Sequence, residues 1–113
     1  MELYPIGTIV EISKIKFIIL GYQQQVQDNA FLNGYIVAQY PIGFAEMKDL
    51  KFIKLEGVDK VIQEGFKESD LYHEYASRKA RFFEKTKDMK PEEIEKGLEV
   101  LVESMRLEAR TNE

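Results

Sequence analysis

The feature that most restricts how this chain can fold is a change of pattern near Phe66. Before it lie six of the seven glycines, two of the three prolines and most of the β-branched residues; after it come long charged stretches with helical spacing. A β-rich segment followed by a helical one predicts the α+β class, with the β-rich part over 1–66 and a helical hairpin over 67–109. At 113 residues one core is the default, so 1–113 is expected to be a single domain, with 110–113 as a frayed polar tail.

Within the first part, Thr8 to Ile12 and Lys14 to Gln24 are rich in Ile, Val, Phe and Tyr, and the polar break at Ser13 and Lys14 predicts a hairpin turn between them. Ile19 and Leu20, in the continuous apolar run Phe17 to Leu20, are expected in the core, and Gly21 marks a bulge or a close backbone approach. Gln23 to Asn29 reads as a polar break. Gly34 to Tyr40, Leu50 to Leu55 and Lys60 to Glu64 supply three further strands, and the Pro41, Ile42, Gly43 spacing suits a type II turn with Gly43 at positive φ. A flat sheet of five short strands would expose two edges, so a small twisted antiparallel sheet of barrel-like form is the expectation.

Beyond Gly65, Ser69 is placed to cap a helix that runs to about Lys87, with Asp70 in its first turn. Pro91 suits the first position of a second helix, on which Ile94, Leu98, Leu101, Val102 and Met105 share a face. The aromatic residues Tyr72, Tyr75, Phe82 and Phe83 spread over more than one face of the first helix. They are the candidate partner-binding residues: the row Tyr72, Phe83, Ile94, Leu101 and Met105 either closes an intrachain hairpin or receives a partner helix, and in the second case Tyr72 and Phe83 are expected to anchor the partner without holding the fold together.

Chemistry is sparse. There is no cysteine, which removes disulfides and thiolate ligands together, and one histidine, His73, shares a helix face with Asp70 and Ser77. A relay on one helix lacks a strained nucleophile turn and a fixed oxyanion hole, so a solvated helix surface is the preferred reading. The pairs Glu92 and Glu93, and Glu95 and Glu99, fall at surface positions where their pKa values would stay low. The glycines are not spaced as a phosphate-binding loop. Neither a catalytic site, a metal nor a cofactor is expected.

A net charge of −4 disfavours nucleic acid, and the cluster Lys79, Arg81, Lys85, Lys87 and Lys90 is interrupted by Glu84 and Asp88. No apolar run approaches the ~20 residues that a membrane helix needs. The opening residues Met1 to Ile12, with Glu2 and Glu11, do not resemble a secretory leader, so the expected compartment is the cytoplasm.

Four separated motifs carry a family resemblance. Tyr4 to Val10, then Phe17 to Tyr22, then Tyr35 with Tyr40 to Gly43, and last Val58 to Phe66 resemble, in that order, the domain-of-unknown-function family numbered 4176. Ile42 stands where the family has an acidic residue, and Gln63, Glu64, Gly65 and Phe66 replace its "FEGY" ending. The resemblance implies an accessory protein encoded beside LXG-type toxins of the type VIIb secretion system in Gram-positive bacteria, acting as cytoplasmic chaperone or targeting factor for the helical N-terminal region of the toxin. It brings no catalytic residues. An immunity protein that blocks a toxin's active site is the alternative.

Overall fold

The structure is a computed structural model in which residues 2–91 are described. Five antiparallel strands form one sheet: β1 (Ile9–Ile12), β2 (Ile15–Gln27), β3 (Ala30–Gln39), β4 (Lys51–Lys54) and β5 (Lys60–Gln63), followed by helix α1 (Asp70–Thr86). The strand order is β4-β3-β2-β1-β5. The expected second helix beyond Pro91 and the tail at 110–113 lie outside the described residues.

The β1–β2 turn falls at Ser13 and Lys14 as expected, both at positive φ (50° and 69°), the geometry that matches the twist of a two-residue hairpin. Asp59 closes this end from across the sheet, its carboxylate accepting from the Ser13 N–H at 2.8 Å. A second turn of the same kind, at Asp28 and Asn29 (φ 51° and 56°), joins β2 to β3. The glutamines read as a polar break therefore belong to β2, which pairs with β3 without interruption from Gly21↔Ile36 to Gln27↔Ala30. Side-chain polarity misled here because this end of the hairpin pairs with no third strand, so it needs less apolar cover.

The barrel-like form is not what the chain adopts. The edge strands β4 and β5 do not meet, and the sheet stays open. Both edges are only four residues long and carry Lys51, Lys54 and Lys60, features that discourage pairing with a stray strand. One helix laid across a face does the covering that closure would otherwise do.

Alternation assigns the faces. Val10, Phe17, Ile19, Tyr22, Tyr35, Val37, Ile53 and Val61 pair directly across neighbouring strands and share one face. On it sit Leu3 from the N-terminal segment and Phe83, Phe82, Ala76 and Ala80 from α1, giving the hydrophobic core. Leu20 is not part of it. The β2–β3 register shifts between Ile19 and Gly21, which makes Leu20 the extra residue of the bulge and leaves it 37% exposed, whereas Ile19 is fully buried.

Gly43 has φ +75° as expected, but its N–H donates to the Gln39 carbonyl at 2.7 Å, so the turn spans five residues instead of the four of a type II turn. At Gly34 the constraint is close approach: a Cβ there would overlap the Ile53 carbonyl oxygen on β4.

Candidate functional site

Helix α1 begins where the sequence places it. The Ser69 hydroxyl accepts from the Tyr72 N–H at 3.2 Å, satisfying one of the free donors of the first turn. From this cap the helix crosses the sheet, and its C-terminal turn is tied down by polar contacts. Gln24 Nε2 donates to Asn33 Oδ1 at 2.8 Å and to Thr86 Oγ1 at 2.7 Å, and Thr86 Oγ1 donates to the Phe82 carbonyl at 2.9 Å.

The N-terminal segment is tied in by tyrosines. Tyr22 Oη donates to the Tyr4 carbonyl at 2.6 Å, and the Tyr4 N–H donates to Tyr35 Oη at 3.2 Å. Tyr22 also stacks on Tyr75 of α1 at 5.9 Å, and Tyr4 on Tyr35 at 6.0 Å. Burial, with the Tyr72 phenol beside it, pushes the Tyr22 hydroxyl well above the usual phenol range. Burial raises Tyr35 and Tyr75 as well, in Tyr35 against the opposing effect of the bond from Tyr4.

Between α1, the N-terminal segment and β5 opens a cleft of about 750 Å³. Leu3, Pro5 and Val61 give it an apolar floor; Tyr72, Ala76 and Ala80 form part of the helix wall. Small residues at Ala76, Ser77 and Ala80 keep that wall low, which leaves room for side chains from outside. The rim is charged with both signs, carrying Glu2 and Arg81 as well as Glu64 and Lys67, which pair at 2.9 Å. Mixed charge over an apolar floor suits a polypeptide better than a small anion or a nucleic acid.

The four expected partner-binding aromatics do not form one surface. Tyr72 is half-buried and lines the cleft, its phenol beside that of Tyr22; Tyr75 is 41% exposed, stacks on Tyr22 and is not part of the cleft lining. Phe82 is half-buried against the core. Phe83 is 1% exposed, so the expectation that it meets a partner is corrected: it belongs to the interior, because the rotation of α1 that brings Ala76 and Ala80 against the sheet brings Phe83 with them. Sequence reasoning passed over Leu3, Pro5, Ala76 and Ala80, small or N-terminal residues with no chemical signal of their own.

His73 and Ser77 also line the cleft, but no hydrogen bond joins the side chains of Asp70, His73 and Ser77. Among the described residues no three metal-capable side chains gather in one place, and no helix is long and apolar enough to cross a membrane.

Among the described residues, fold and cleft together define a small α+β unit with an open five-stranded antiparallel sheet, one helix across one face and a helix-walled cleft at its β5 side. The chain belongs to the DUF4176 family, a domain of unknown function, whose match covers residues 3–72. That span includes the N-terminal segment, all five strands and the first turn of α1, and it ends at Tyr72. No curated protein and no solved structure matches the chain.

Proposed function

We propose that this protein is a non-enzymatic cytoplasmic accessory factor, a chaperone or targeting factor, that binds the helical N-terminal region of an LXG-type toxin for type VIIb secretion. The observation that carries the binding reading is the cleft beside α1: an apolar floor, a low wall of small residues, one half-buried tyrosine and a rim of both charges. Such a surface accepts the apolar side chains of a helix or strand while its rim fixes orientation. The toxin as partner rests on the family resemblance, which also implies the cytoplasm as compartment.

The test is copurification of the full chain with the N-terminal region of a neighbouring LXG toxin and, separately, with its C-terminal toxic region. Tyr72→Ala and Ser77→Trp, the second placing a bulky side chain at an exposed position of the cleft wall, are expected to weaken capture of the N-terminal region while circular dichroism stays unchanged. Capture of the toxic region instead would favour the immunity reading. Undiminished capture by both folded variants would remove the cleft from the binding site.

A further inference from the structure

The second face of the sheet is apolar too. Ile9 pairs with Ile18, Ile18 with Ala38, and Ile36 with Phe52, so these five side chains lie together on the face turned away from α1. None of them belongs to the core that Phe83 closes. Ile9 and Ala38 are buried, while Ile18 on β2, Ile36 on β3 and Phe52 on the edge strand β4 are half-buried and leave apolar surface open to a partner. A sheet that needed only one covered face would alternate apolar with polar residues, and these strands do not.

What surrounds the patch indicates what fits it. Lys16, Lys54 and Lys60 project from the same face, on β2, β4 and β5, all exposed and none in an ion pair among the described residues. Glu11, opposite both Lys16 and Lys60, is the acid in their midst. A second copy of the chain laid face to face would bring the two sets of lysines together, which like-charge repulsion opposes. Strand addition at an edge is discouraged by the same lysines on β4 and β5.

We infer that this face is a docking surface for an amphipathic helix from another protein, its apolar stripe seated on Ile18, Ile36 and Phe52 and its flanks carrying glutamate or aspartate opposite Lys16, Lys54 and Lys60. Strands spaced at ~4.8 Å across the face give ample width for a helix of ~10 Å diameter. The surface is separate from the cleft and does not depend on the toxin reading.

The probe is a synthetic helix of about 18 residues, long enough to span the sheet, with a leucine stripe flanked by glutamates, and a twin with lysines in their place. Each is titrated into full-length, methyl-labelled protein. The glutamate peptide is expected to shift the methyl signals of Ile18 and Ile36 and leave those of Ala76 and Ala80 in the cleft unmoved. Reversing the rim, with Lys16→Glu, Lys54→Glu and Lys60→Glu together, is expected to weaken that peptide at least about tenfold and to strengthen its lysine twin. These positions are exposed, and because Lys16→Glu and Lys60→Glu set carboxylates opposite Glu11, circular dichroism checks the fold and Lys54→Glu alone, which has no such neighbour, is expected to weaken the glutamate peptide in the same direction.

Equal affinity for both peptides, no binding of either, or shifts confined to the cleft would overturn the inference. So would a concentration-dependent dimer that buries Ile18 and Ile36. Contacts in the free protein from Ile36 to Leu98 or Leu101 would do the same, since the chain's own C-terminal residues would then be the occupant.

Discussion

Truncating Phe83 to alanine separates an interior role from a partner-binding one. The side chain is 1% exposed and packs with Val10, Ile19, Tyr22, Tyr35 and Val37. An aromatic side chain buries roughly 150–250 Å², which at about 25 cal/mol per Å² corresponds to roughly 4–6 kcal/mol of transfer free energy as an upper figure. Measured Phe→Ala losses in cores run at about 3–5 kcal/mol, the surroundings relaxing only in part. Since a domain of this size has about 5–15 kcal/mol in total, Phe83→Ala is expected to remove roughly a fifth or more of its stability. The assay is urea unfolding followed by far-ultraviolet circular dichroism, with Leu71→Ala, at a residue 76% exposed on the same helix, as the comparison. A lowered midpoint for Phe83→Ala with Leu71→Ala within about 0.5 kcal/mol of the parent supports the reasoning. If the two variants unfold at the same urea concentration, α1 does not seal the core as described.

Ile19→Ala should cost about 2–5 kcal/mol and Leu20→Ala far less, because the bulge turns only the first of these neighbours inward; equal losses in thermal unfolding would contradict the register. Gly43→Val should cost about 1–2 kcal/mol through backbone strain alone, since nothing lies within 4 Å of the position a Cβ would take there; a midpoint no lower than that of Gly57→Val, equally open but not at positive φ, would refute it. The phenols of Tyr22, Tyr35 and Tyr75 are raised in the folded chain, so their contribution is complete below the unfolded value of about 10 and is lost as pH climbs through the folded values. Urea midpoints should hold steady up to about pH 10 and fall above it, and absorbance at alkaline pH should show late-ionising tyrosines; a single step for all six tyrosines near pH 10 would exclude this.

Much of the fold was legible locally. Ser13 and Lys14 marked a turn because a polar pair interrupted two apolar runs, and Ser69 marked the start of α1 because a hydroxyl there has a backbone donor to satisfy. Whether the sheet closes was not legible, since it depends on β4 meeting β5 and neither strand's pattern encodes its distant neighbour. Nor was the choice between Phe82 and Phe83: adjacent aromatics are told apart only by the rotation of the helix, which its packing on the sheet decides. The cleft was hidden for a related reason. Its floor comes from Leu3, Pro5 and Val61, brought beside α1 by the fold, and of its apolar lining only Tyr72 was singled out as a partner-binding residue in the sequence.

The contact between Gln24 and Thr86 has a consequence for how α1 is held. Apolar packing alone is tolerant of sliding, because one alanine or phenylalanine meets a smooth sheet face much as another does. A helix that must also deliver one particular hydroxyl to one particular amide, with Asn33 engaged by the same amide and reaching the Phe83 carbonyl at 3.4 Å, loses these bonds if it moves along its axis by a single residue. The polar cluster therefore indexes the helix. It fixes where α1 stands along its axis, and with that the position of Tyr72 in the cleft.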